Sequence, residues 1–197
     1  MRRYGQIAAV AAALALSATT GARATAADPA AARVESLCDG VIDVVKQSKG
    51  AAVSARAHRI QPMIEQHFNF EVMAQVAIGE PWAKMSGAER ANVVAALTRY
   101  TSARYAKEFD GQKCLVDPAV TTRGVDKLVK SQVVASDGDS PVNYRLREYG
   151  GTWKVIDVFY NGVSQLAVQR ADFAQVLRTD GAPGLVAKLN ALTAALH

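Results

Sequence analysis

The chain is 197 residues long, half of them hydrophobic, with a formal net charge of +5 and two cysteines. That length allows one sizeable core. The charge is too small to serve a nucleic-acid partner: Arg2, Arg3 and Arg23 fall in a leader, and 23 Lys and Arg less these three leaves 20 against 18 Asp and Glu.

The leader is readable from its own pattern. Arg2 and Arg3 make a basic start, and Ile7 to Ala18 is apolar for about a dozen residues, short of the ~20 that span a bilayer. Ala22-Arg23-Ala24 and Ala24-Thr25-Ala26 are small-residue cleavage sites, with cleavage after Ala26 preferred. The expected product is an exported, soluble domain of residues 27–197.

Val34, Leu37, Cys38, Val41, Ile42 and Val45 fall at three- and four-residue steps, which predicts a helix from Ala30 to about Ser48. A second helical region runs from Arg56 through Phe68, and Asn69 is placed to cap a short helix that stops at Gly79. Glu80-Pro81-Trp82 reads as a turn. Ser86 with Glu89 forms a capping-box pattern that opens a long helix reaching Phe109.

After Gly111 the period changes. Cys114 to Asp117, Ala119 to Arg123 and Leu128 to Ala135 read as strands, followed by an Asp137-Gly138-Asp139 turn. Val142, Tyr144 and Leu146 alternate with polar residues, Gly150-Gly151 suits a tight hairpin, and the return strand runs from Thr152 to Tyr160. From Val155 onward both faces of that strand are largely apolar, which predicts a central position. Asp157 interrupts the run and needs a partner or solvent. Arg170 to Arg178 and Leu185 to Leu196 read as helices separated near Gly181. Helices, then consecutive antiparallel strands, then helices define an α+β class.

Known catalytic patterns are missing from the sequence. It has no phosphate-binding glycine loop, no His-Glu-x-x-His, no CxxC and no Gly-x-Ser-x-Gly elbow, and its histidines lack metal-ligand spacing. Cys38 and Cys114 allow two readings, a disulfide in an oxidising compartment or two buried thiols. A reactive cysteine would open a third, a Cys-His hydrolase using His58 or His67. The aromatic residues are compatible with a filled core or with a lined cavity.

Phe70-Glu71-Val72-Met73-Ala74, Gly79-x-x-Trp82 and Glu89-Arg90 leading to Leu97 and Tyr105 resemble the N-terminal half of the MlaC (toluene-tolerance Ttg2) family. Gly151-x-Trp153-Lys154-Val155-x-Asp157-Val158, Gly162-Val163-Ser164, Arg170-x-x-Phe173 and Gly181-x-x-Gly184-Leu185-Val186 are similar to its C-terminal half, in order and spacing. The resemblance covers about Val34 to Leu196.

It implies a twisted antiparallel sheet packed on several helices, with an apolar lipid cavity between them. It also implies a non-enzymatic periplasmic carrier, without metal or cofactor, that shields phospholipid acyl chains. The partners implied are an inner-membrane ABC lipid transporter complex and an outer-membrane lipoprotein complex. The Gln165-to-Gln169 stretch and the paired cysteines lean toward the hopanoid-associated HpnM branch of the same family. By motif, Phe70, Met73, Trp82, Leu97, Tyr105, Val133, Val142, Tyr144, Trp153, Val155 and Phe159 are expected at or bordering the cavity. Arg170 and Asp157 are expected to form an ion pair, or Arg170 to meet a headgroup. A non-transporting periplasmic scaffold is the alternative of another class.

Overall fold

The computed structural model describes residues 27–136 and 138–197, so the leader and Asp137 lie outside the described residues. Helix α1 spans Pro29–Gln47, and the Asp28 side chain accepts from the Ala30 amide at its start. Its buried stripe of Val34, Leu37, Cys38, Val41 and Val45 is the one the spacing predicts. Helix α2 (Val53–His67) carries Pro62 inside it, and α3 (Phe70–Ile78) is capped by Asn69 and ended by Gly79. Pro81–Lys84, expected as a turn, closes into a short helix α4. Helix α5 (Gly87–Glu108) begins with the full capping box between Ser86 and Glu89.

Seven strands follow: β1 (Lys113–Val116), β2 (Thr121–Arg123), β3 (Asp126–Val129), β4 (Ser131–Ala135), β5 (Gly138–Tyr149), β6 (Thr152–Tyr160) and β7 (Val163–Ser164). The stretch expected as one strand from Leu128 to Ala135 is two. β3 pairs with Asp126↔Arg147 through Val129↔Tyr144, whereas β4 pairs with the start of β5, from Gln132↔Pro141 to Ala135↔Gly138. At the junction Ser131 turns inward, where its hydroxyl donates to the Val142 carbonyl and its amide donates to Asn143 Oδ1 (3.3 Å).

The centre of the sheet is β5, not β6. β5 has β6 along one edge and β3 and β4 along the other. The outer edge of β6 is covered at one end by β7 and at the other by a bridge from Phe68 to Val155. The turns at the two ends of β6 each put two residues at positive φ: Gly150 (55°) and Gly151 (79°), then Asn161 (50°) and Gly162 (80°). This type I′ pattern matches the twist of the strands it joins.

Helix α6 (Gln165–Ala194) starts five residues before the expected Arg170 and is broken at Gly181 (φ 64°). Its early start follows from Asp157. This carboxylate, 3% exposed, accepts from the Ser164 hydroxyl (2.7 Å) and the Leu166 amide (3.3 Å). Ser164 in turn accepts from the Ala167 amide, so two side chains satisfy the first turn.

Cys38 and Cys114 are joined in a disulfide that ties α1 to β1. Neither is therefore a free nucleophile, which removes the hydrolase reading. His67 is buried at the end of α2, with Nδ1 2.8 Å from the Met63 carbonyl and Nε2 3.3 Å from Ser36 Oγ. Burial lowers its pKa; the Met63 carbonyl opposes this, and the cations Arg33 and Lys154 add to it.

Two outcomes are expected in denaturant and thermal unfolding. Asp157→Ala removes two bonds and part of a helix cap and costs about 1–3 kcal/mol. Because the unfolded chain takes up a proton at His67 near pH ~6.5 and the folded chain resists it, stability falls as pH drops below that value. His67→Gln should flatten that acid limb.

Candidate functional site

The bulge in β6 sets where the helices sit. The register moves from Arg145↔Asp157 to Leu146↔Val155, leaving Ile156 as the additional residue. On one side of it Val155 holds the α2–α3 junction, because the Asn69 amide donates to its carbonyl (2.9 Å). On the other side Asp157 holds the start of α6. Two residues of one strand, on either side of Ile156, thus fix two helical segments, and a slit lies between them.

The slit has a volume of about 30 Å³ and its interior is formed by Phe68, Met73, Tyr105, Val158 and Leu166. A row of aromatic rings backs it. Phe70 stacks on Phe68 (5.5 Å), Phe68 meets Tyr105 edge-on (5.9 Å), and Tyr105 stacks on Phe109 (5.5 Å). A water needs about 10–15 Å³ of such space, so the slit admits a few waters and not an acyl chain.

The mouth is polar. Tyr100, Thr101, Arg104, Tyr160, Gln165 and Gln169 line it. Arg104 donates to Glu108 Oε1 from Nε (2.9 Å) and Nη2 (2.6 Å), to Gln165 Oε1 from Nη1 (3.3 Å), and lies 5.1 Å over the Tyr160 ring. The Tyr160 hydroxyl donates to the other Glu108 oxygen at 3.3 Å. One guanidinium therefore spans α5, β6 and α6.

Gln169, on the slit lining, has a buried Oε1 without a hydrogen-bond partner. Tyr105 is 3% exposed. Burial first, then the neighbouring Tyr144 and Tyr160, push its pKa well above the ordinary tyrosine value. Burial likewise raises Tyr144 to about 12, so both rings stay neutral. The Tyr105 hydroxyl lies beside that of Tyr144, a core residue outside the slit lining. Gln169 is the odd residue of the lining: it falls on the same helical stripe as buried Leu166 and Phe173.

Of the residues expected at a cavity, Met73 and Tyr105 line the slit. Tyr144, Leu97, Trp82 and Val155 are buried core side chains outside its lining. Val133 and Val142 line a separate polar cavity of about 370 Å³ next to the mouth. Phe70 faces an open groove of about 570 Å³ between α2, α3 and α5. Phe159 lies across the sheet, beside Arg123 and Arg145. Trp153 is half-buried with Lys127 Nζ 4.6 Å from its ring centre.

The expected Asp157–Arg170 pair is not among the ion pairs of the described residues. Asp157 is occupied by α6, while Arg170 is exposed and its guanidinium lies against Gly79. Phe68, Arg104, Val158 and Tyr160 carry no sequence signal for the site, whereas Gln165, Leu166 and Gln169 fall in the Gln165-to-Gln169 stretch that stands out in the sequence.

An antiparallel sheet roofed by helices, with an apolar slit and a charged mouth at their seam, defines the class: an α+β protein with an internal site and no assembled catalytic group among the described residues. The sequence profile of the MlaC protein family matches residues 35–191. The chain belongs to the MlaC family.

It is similar to toluene tolerance protein ttg2D of Pseudomonas putida, at 35% identity over 75 residues; the matching stretch covers 38% of this chain and 35% of that relative. Its fold is similar to that of the phospholipid-binding protein from Ralstonia solanacearum, whose structure was solved in complex with a phospholipid. The TM-score is 0.69 at 21% identity, over 86% of this chain and 99% of that one.

Tyr105→Phe removes a buried hydroxyl that lies beside that of Tyr144 and should cost about 0.5–1.5 kcal/mol in urea unfolding; unchanged stability would mean that the two hydroxyls do not bond.

Proposed function

We propose that the mature chain, residues 27–197, is a single-domain periplasmic lipid carrier. It shields the acyl chains of a phospholipid between β6, α5 and the first half of α6. Family membership and a fold shared with a phospholipid-bound protein support this reading. The observation that carries it is the seam itself: an apolar slit with a charged mouth, where the buried Gln169 Oε1 has no partner.

In this reading Met73 and Tyr105 contact acyl chain together with Phe68, Val158 and Leu166. The slit must widen to load. Releasing Leu166 and Phe173, the two fully buried large side chains on the first half of α6, costs about 3–6 kcal/mol. Hiding a chain of about 14 methylenes from water returns about 11 kcal/mol. The ligand can therefore drive the opening.

No bond is made or broken. The lipid passes between an inner-membrane ABC transporter complex and an outer-membrane lipoprotein complex, in keeping with lipid asymmetry of the outer membrane in Gram-negative cells.

A second reading, a hopanoid as the cargo, draws on Gln165 and Gln169 at the mouth, whose amides suit the hydroxyls of a polyol tail. Native mass spectrometry of protein isolated from the periplasm without detergent separates the two by adduct mass. Phospholipid is the expected adduct, and Gln169→Trp, which plugs the rim, should lose it while keeping its melting temperature. Apo protein alone, even after incubation with both lipid classes, would contradict a carrier and leave a scaffold.

A further inference from the structure

The sheet has a second face, and its side chains take no part in the slit. Pleating puts Asn143, Arg145 and Arg147 opposite Val142, Tyr144 and Leu146, which are buried in the common core. Cross-strand pairing fixes the neighbours on that face: Phe159 beside Asn143, Leu128 beside Arg145, Asp126 beside Arg147, and Arg123 beside Asp126. A concave cavity of about 310 Å³ lies among them, with Leu128 and Phe159 as its large apolar residues and Arg123 and Arg145 in the same lining.

The charge on this face is unbalanced. Among the described residues of the lining Asp126 is the one carboxylate, and Arg147 takes both its oxygens, from Nε (2.6 Å) and Nη2 (3.1 Å). Arg145 Nε comes only within 3.7 Å of Asp126, and that nitrogen is buried without a hydrogen-bond partner. Arg123 is exposed and forms no ion pair among the described residues. The remaining cation of the lining, Lys127, is already bonded to Asp28 (2.6 Å). The apolar part is unfinished as well: Leu128 and Phe159 are half-buried and do not pack against the common core. An aromatic ring beside under-partnered guanidiniums is the composition of the centre of a protein–protein contact.

We propose that this face docks an acidic segment of a protein partner: its carboxylates bind Arg123 and Arg145, and an apolar side chain between them enters the cavity against Leu128 and Phe159. The sign of the partner follows from charge complementarity, three arginines drawing on one carboxylate, and a guanidinium fork matches a carboxylate. The shape favours a protein over an anionic bilayer. Leu128 and Phe159 are half-buried inside a cavity, and the exposed Val125 (71%) and Val163 (53%) stand singly in separate turns, not as the contiguous apolar surface that enters a membrane. The proposal goes beyond the cargo site, with which this cavity shares no lining residue.

The test uses the mature protein with its disulfide intact and a fluorescein-labelled peptide in which glutamate and leucine alternate. A peptide of glutamine and leucine is the reference. Fluorescence anisotropy should show tighter binding of the glutamate peptide, weakening as salt is added. Arg123→Gln and Arg145→Gln should each weaken it by about fivefold, the loss expected for one exposed ion pair. Arg123, exposed and without an ion pair, is the position least able to disturb folding. Phospholipid loading should be unchanged in both variants, so failure of this proposal leaves the carrier reading standing. Equal binding of the two peptides, or glutamate-peptide binding that both arginine variants retain, would overturn the proposal. Cosedimentation with vesicles of dioleoylphosphatidylcholine and dioleoylphosphatidylglycerol in place of peptide binding, lost in the arginine variants, would also overturn it and make the partner a bilayer.

Discussion

A carboxylate on a strand covered from both sides has to be satisfied by protein, and in this fold Asp157 is satisfied by the first turn of α6. That requirement starts the helix at Gln165 and lays its first half across the sheet. Two residues earlier, the Val155 carbonyl takes the Asn69 amide and fixes the opposite wall. Phe68 follows from the second anchor and Leu166 from the first, so both slit walls descend from one bulged segment of β6. Had the two helical segments been placed by side-chain packing alone, they would have closed on each other as the rest of the core does.

The distribution of packing along α6 fits this arrangement. Beyond Gly181 the helix is locked by Ala182, Leu185 and Leu189, all buried in the common core. Before it, Leu166 and Phe173 are the only fully buried large side chains, and Gln169 lies between them. The first half is joined to the sheet at Asp157 and to α5 through Arg104, with Val176 and Leu177 only partly buried against the core. The proposed carrier role needs this contrast: a firm shell, with one seam weak enough for a ligand's hydrophobic transfer energy to part it. The disulfide ties α1 to β1.

Much of the fold was legible in the sequence, because the relevant signals are local. The stripe on α1, the Asn69 cap, the Ser86–Glu89 box and the Gly150-Gly151 turn depend on neighbours within a few residues. Sequence periodicity could not divide Leu128–Ala135, since the break at Lys130 reflects which part of β5 each half pairs with. Nor could it show that β5 and not β6 is central. The site was less legible. Asp157 was marked as needing a partner, but the partner proved to be a helix terminus and not Arg170. Arg104, Gln165 and Tyr160 meet only through the tertiary fold, across separations of 61 and 52 residues for Arg104–Gln165 and Glu108–Tyr160. Motif resemblance favoured large apolar residues. Several of these, Leu97 and Trp82 among them, are core, while of the polar side chains at the mouth only Gln165 and Gln169 stood out in the sequence.

The central claim is that acyl chains lie in the seam between β6, α5 and α6, not in the wider grooves on the surface. Photolabelling tests it most directly. The protein is loaded with a phospholipid bearing a diazirine midway along one acyl chain, irradiated, digested, and the labelled residues are mapped by mass spectrometry. The account predicts label on Phe68, Met73, Tyr105 and Leu166. Label confined to the α2–α5 groove at Phe70, Ala91 and Val94, or to Phe159 across the sheet, would contradict it.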